Sequence, residues 1–308
     1  MQISTSYLFD RASKQMVNIQ NDLAKSQQEI AAQKQVLNPS DAPNQAATIT
    51  RLKSVIARQE TYTNALSQVQ TRLDAESSNL SNASEVLVRI KELAVQANNG
   101  TQGAVSRLAI ATEMKGLRDQ LLSVSNSTDA SGNFIFSGSK VNTKAFTEDA
   151  SGNVTYTGDQ TRMNVAVGEQ RTLPLNRPGT NAFVRVVRMD PVSKKEEGIG
   201  FFKSIDDLIL GVKAGTSSVM QRGLTEMDAL HSGVVMAQAD VGTDMKVVEQ
   251  QGAVVDDTKL SLTVALSHVE DLDMTTAVTH MQKLMLSLEA AQSTFAKTSQ
   301  MSLFKYLG

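Results

Sequence analysis

The sequence predicts a mainly α protein: long N- and C-terminal helices forming coiled-coil and helical-bundle domains, with a small inserted β-rich domain. Three observations carry this. Apolar residues recur at alternating steps of three and four over very long stretches, the spacing of a helix seam. The same spacing appears at both chain ends. In the middle the period falls to two, among Gly, Asn and Thr, the pattern of short strands and turns.

Near the start, Ala12, Met16, Ile19, Leu23, Ser26, Ile30, Gln33 and Leu37 hold the three-four rhythm and predict one helix. Asn38, Pro39, Ser40, Asp41 and Pro43 form a polar break. Pro39 and Pro43 are expected to interrupt the helix there and to remove two donors. The rhythm resumes through Leu66, Val69, Leu73, Glu76, Leu80, Ala83, Leu87, Ile90, Ala94 and Ala97. A helix from Asn44 to Ala97 would be roughly 80 Å long, far beyond an ordinary globular helix, so it reads as a rod. Asn98, Asn99 and Gly100 supply its C-terminal stop. A third helix, marked by Ile110, Met114, Leu117, Leu121 and Val124, folds back on it as a helical hairpin.

Residues 132–199 alternate Val and polar residues between turn formers, and Pro174, Pro178 and Pro191 all fall here. Short hairpins follow from this pattern, and the run SKKEEG, 193–198, reads as a solvated loop. Helices return with FFKSIDDLILGVKAG, one short amphipathic helix. A longer one carries Met220, Leu224, Met227, Val234, Val241, Met245, Val248 and Val255, with His231 and Gln238 in register. The last carries Met274, Ala277, Met281, Leu284, Leu288, Ala291 and Phe295, and is poor in charge. The implied domains are 1–40 with 268–308, a terminal coiled coil; 41–131 with 200–267, an elongated bundle; and 132–199, a β-rich outer domain. Each chain end has too little apolar surface to order alone, so the two must pair with each other or with neighbouring copies.

Composition narrows the function. The 32 acidic and 30 basic residues nearly cancel, so no global field favours nucleic acid or a membrane surface. With no cysteine, disulfides, thiolate zinc sites and Cys nucleophiles are all excluded. No basic segment leads into an apolar run at the N-terminus, which argues against a cleavable signal peptide, and no run is long enough to span a bilayer. His231, His268 and His280 form no metal-binding spacing. The pairs Asp206/Asp207, Asp256/Asp257 and Glu270/Asp271 are adjacent, so on a helix they point apart and read as solvated surface. No catalytic, metal or cofactor site is predicted. Many of the thirteen methionines sit in the terminal helices, as adaptable packing.

Five segments carry a family resemblance. QVLNPSDAPNQAA (35–47) resembles the segment joining the two N-terminal helical domains of the flagellin-like proteins, in the NPSD form of their hook-associated protein 3 branch. MQIST at the start, QANNGT (96–101), GNFIFSGSKVNTKAF (132–146) and MSLFKYLG (301–308) are similar to that branch in the same order. Ala42 departs from it, standing where a second acidic residue is usual. The resemblance implies a structural, non-enzymatic subunit at the junction between hook-associated protein 1 and the flagellin filament of the bacterial flagellum. It further implies packing against copies of itself, extracellular placement by the flagellar type III export apparatus, and a FlgN-type export chaperone on the C-terminal helix. The residues expected to bear contacts are Leu23, Ile30, Asn38, Pro39, Asp41, Pro43, Leu284, Leu288, Phe295, Leu303 and Phe304. Two other readings stay open: a flagellin filament subunit, or a cytosolic coiled-coil scaffold.

Overall fold

A computed structural model of the chain describes residues 2–189 and 196–307, with side chains except at 2–6, 8 and 298–307. Its elements are, in order, α1 (Gln2–Ala32), α2 (Pro43–Ala97), α3 (Ala104–Ser125), β1 (Phe146–Glu148), β2 (Val154–Tyr156), β3 (Asn164–Ala166), β4 (Thr172–Pro174), β5 (Val186–Met189), β6 (Glu196–Ile199), α4 (Phe201–Ala214), α5 (Ser217–Glu270) and α6 (Met274–Leu307). They divide into two compact units, residues 1–59 with 257–308, and residues 60–256.

In the unit spanning 60–256, the helix periodicity becomes burial. Every seam position named on α2 from Leu66 to Ala97 is buried, Glu76 included. On α5 the burial repeats every seven residues, at Met220, Met227, Val234, Val241, Val248 and Val255. A stripe of this kind is what turns a weak helical propensity into a stable helix. The hairpin of α2 and α3 is closed by Asn99, whose Oδ1 accepts from the Thr101 backbone N–H and hydroxyl. Gly100 is not left-handed, so the side chain and not the glycine makes this turn. Gly215, in contrast, ends α4 in the left-handed conformation at φ 72°.

The inserted segment is three separate antiparallel hairpins, β1–β2, β3–β4 and β5–β6. Two-stranded hairpins are marginal alone, and here side chains from the helices hold them. Phe136, Phe146, Phe183, Phe201 and Phe202 meet mainly edge to face, with centroids 5.2–5.5 Å apart. The run Asp-Ala-Ser-Gly-Asn occurs twice, at 129–133 and 149–153, and folds the same way each time. The Asp carboxylate accepts two backbone N–H groups, and the glycine takes φ near 80°. Arg72 on α2 binds the first turn through Asp129 at 2.8 Å, and Arg118 on α3 binds the second through the Gly152 carbonyl at 3.1 Å.

Three expectations are corrected. The chain leaves α1 at Ala32, before either proline: Gln33 is left-handed at φ 56°, and Leu37 lies in the linker rather than on the helix. Pro43 does not interrupt a helix but begins α2, where its missing N–H has no partner to lose. Glu196–Gly198, read as loop, belong to β6, paired with β5; Pro191 and 193–195 lie outside the described residues.

Candidate assembly surface

In the terminal unit, α1 and α6 run antiparallel. Phe9 and Phe295 meet edge to face at one end, with centroids 5.3 Å apart. At the other end Lys34 forms an antiparallel bridge with Asp271. The stretch from Phe9 to Lys34 matches that from Asp271 to Phe295 to within one residue, so both arms keep one register. In that register Leu23 lies level with Met281, and Met16 with Leu288.

The seam between them is only partly covered. Leu23, Ile30, Leu284, Leu288 and Phe295 are half-buried, whereas the seam residues of α2 named above are buried. Among the described residues, Ile49 and Ala277 are the buried hydrophobics of this unit. Beyond the seam, Val17, Leu260, Val264, Met285 and Leu286 are exposed, Leu286 to 67 %. Leu286 is two positions from both Leu284 and Leu288, so it points to the opposite side of α6. Apolar surface therefore lies on two sides of α6. The heptad reading missed this second face, although the run Met285–Leu286 was there to signal it.

Of the predicted linker residues, Asn38, Pro39 and Asp41 fall in one tight turn, and Pro43 follows as the first residue of α2. The Asp41 N–H donates to the Asn38 carbonyl at 3.0 Å, with Pro39 between them, and the Asn38 N–H donates to Asp41 Oδ2 at 3.3 Å. Asp41 also lies 3.8 Å from Lys25 Nζ on α1. Asn38, Pro39, Asp41 and Pro43 are exposed. Ala42 occupies the cap of α2, its carbonyl accepting the first helical bond from Ala46. Leu303 and Phe304 lie within α6, but their side chains are outside those described.

Sequence reasoning also missed the ionic pins. Glu270, read as solvated, is buried, and its Oε1 accepts from Lys34 Nζ at 2.6 Å and Lys53 Nζ at 2.8 Å. Burial pushes its carboxyl up, but the two ammonium groups outweigh that and hold it below the usual range. Asp206 and Asp207 are likewise half-buried: Asp206 accepts from Arg118 Nε at 3.0 Å, and Asp207 from Arg188 at 2.6 Å. Arg188 also donates to Glu226 at 2.7 Å. Arg177 is buried against Glu76 at 2.8 Å and also reaches Asp240 and Asp244. Neutral periodicity gives no hint of these pairs, because each partner lies far away in sequence. Asp256 and Asp257 are exposed, as read.

His231 is half-buried and shares a hydrogen bond with Ser84 at 3.0 Å, a packed seam histidine. Among the described residues, no cluster of His, Cys, Asp or Glu could hold a metal ion, and no helix is long and apolar enough to cross a membrane.

Residues 3–141 match the bacterial flagellin N-terminal helical region, and residues 224–307 match the bacterial flagellin C-terminal helical region. The chain is 26 % identical to flagellar hook-associated protein 3 of Escherichia coli over 318 aligned positions, covering 99 % of each protein. The crystal structure of Xanthomonas campestris FlgL superposes with a TM-score of 0.62 at 21 % identity, over 71 % of this chain and 99 % of that one. The flagellar junction protein FlgL of Legionella pneumophila gives 0.62 at 18 % identity, over 73 % and 99 %.

Proposed function

The chain belongs to the flagellin-like family, and from that premise we propose that it is a structural subunit of the bacterial flagellum, at the junction between hook and filament. The observation that carries this reading is a half-covered seam at the chain ends of a protein that aligns end to end with hook-associated protein 3. A junction needs one face that continues the lattice below and another that starts the lattice above. The seam and the opposite side of α6 provide apolar surface for two such contacts. Packing of this heterologous, non-closing kind generates helical order. The partners are copies of itself, hook-associated protein 1 on one side and flagellin on the other. Its place is outside the cell, reached through the flagellar type III export apparatus, with a FlgN-type chaperone covering the apolar C-terminal helix beforehand. The role is structural and not enzymatic. Contacts are borne by Leu23, Ile30, Leu284, Leu288 and Phe295, with the tail residues Leu303 and Phe304 continuing the helix, and the turn from Asn38 to Pro43 sets the path between helices.

Leu284→Asp combined with Leu288→Asp tests this. Each half-buried leucine contributes about 1 kcal/mol, and a carboxylate placed in the seam adds a desolvation penalty of about 1–3 kcal/mol. The total weakens packing by roughly a hundredfold or more. Cells carrying the double substitution should export the chain with residues 60–256 folded, yet bear few filaments. Normal motility would refute the seam.

A further inference from the structure

The interruptions of the two arms, 33–42 between α1 and α2 and 271–273 between α5 and α6, meet in space. The Gln35 N–H donates to the Glu270 carbonyl at 2.9 Å, and the Leu272 N–H to the Gln33 carbonyl at 3.1 Å. Gln35 Nε2 adds a bond to the Val269 carbonyl at 2.7 Å. These bonds flank Lys34 and Asp271 as a non-hydrogen-bonded antiparallel pair. Beside it the carboxylate of Glu270, its side chain 8 % exposed, takes ammonium groups from two different segments: Lys34, just past α1, and Lys53, within α2.

We propose that Glu270 is a positioning residue for assembly: by holding Lys34 and Lys53 together it fuses the two interruptions into one joint, which presents α1 and α6 to neighbouring subunits as a preset pair. The inference rests on the assembly role proposed above. Three features support it. A single buried oxygen serves both lysines, so without the carboxylate two positive charges face each other and the pin becomes a repulsion. Gln33 caps α1 in the left-handed conformation, with its N–H on the Ile30 carbonyl and the Lys34 N–H on the Glu29 carbonyl, and the bridge ties this cap to the second interruption by holding the Gln33 carbonyl. Finally, the paired register of α1 and α6 starts at this bridge, so the joint sets where the seam begins.

In the purified full-length chain the Gln35 and Leu272 amides, which donate across the joint, should be protected from hydrogen exchange. Glu270→Ala, with both lysines in place, should speed their exchange by about tenfold or more. The exchange Glu270→Lys with Lys53→Glu should restore protection, because one carboxylate again serves two ammonium groups, which a merely structural loss would not do. In cells, Glu270→Ala should lower filament number, while the unfolding midpoint of residues 60–256 stays put. Equal exchange with and without Glu270 would overturn the pin, and faster exchange with undiminished filaments would overturn its positioning role. Failure of the assembly reading is a separate result: the parent chain itself would be missing from flagella, whatever the purified protein does.

Discussion

Arg177→Met should destabilise residues 60–256 by about 3 kcal/mol near neutral pH. Arg177 stands just before the 3-10 turn Gly179–Asn181 and donates from Nε to Glu76 Oε1 on α2 at 2.8 Å. Its other nitrogens reach Asp240 at 3.2 Å and Asp244 at 2.8 Å on α5. The three contacts are unequal. Asp240 is 70 % exposed, so water replaces that contact at almost no cost. The Glu76 carboxylate is 2 % exposed and has nowhere to go. Removing one partner of a buried pair costs about 3–5 kcal/mol, and the lower end applies because the positive charge of Arg72 remains nearby. The pH dependence follows from the direction of the shift. Burial already pushes the Glu76 carboxyl above its usual value, against the pull of Arg177, and losing Arg177 raises it further. A raised carboxyl burdens the fold when ionised and is relieved as it takes a proton. The cost of the substitution should therefore be full at about pH 7.5 and smaller at about pH 5. Urea unfolding followed by far-ultraviolet circular dichroism at both values measures this, since the chain has no tryptophan. Glu76→Leu added to Arg177→Met should recover about 2 kcal/mol, because a well-packed apolar pair replaces a buried ion pair at little cost. A loss below about 1 kcal/mol, an equal loss at both pH values, or a double variant less stable than the single one would refute the reasoning.

Three further predictions concern single positions. Gly233→Ala should destabilise by about 1–3 kcal/mol in thermal unfolding despite alanine's better helix propensity, since a Cβ there would sit 2.5 Å from Val184 Cγ2. Gly242→Ala, on the same helix with nothing within 4 Å, should instead stabilise by about 0.5–1 kcal/mol. Ala42→Asp should stabilise the start of α2 by about 1 kcal/mol, read as slower amide exchange in its first turn, because alanine is a poor cap and a carboxylate favours the N-terminal end.

The helices were legible because their period is local. Leu66 to Ala97 repeats at a spacing that only one face of a helix can satisfy, and all of it is buried. The β hairpins were legible from alternation between turn formers, save β6, whose charged residues Glu196–Gly198 read as loop. The end of α1 was not, since the residue that stops it, Gln33, is neither glycine nor proline, yet it takes the left-handed cap position with its N–H on the Ile30 carbonyl and the Lys34 N–H on the Glu29 carbonyl. The ion pairs were hidden because their partners are distant in sequence. Asp206 reads as surface until Arg118 is brought to it, and Glu270 until Lys34 and Lys53 converge. At the assembly surface the seam was readable, while its half-burial was not: identical spacing is covered on α2 and open on α1 and α6. Whether a periodic stripe finds its cover within the chain depends on tertiary packing, which period alone does not encode.

The most direct test of the junction role is to delete the gene, image the cells by electron microscopy and assay the culture medium for flagellin. The account predicts hooks without filaments, with monomeric flagellin released into the medium. Bare hooks with no flagellin anywhere would make this chain the filament subunit itself, and normal filaments in a cell with no second copy of the gene would contradict the account.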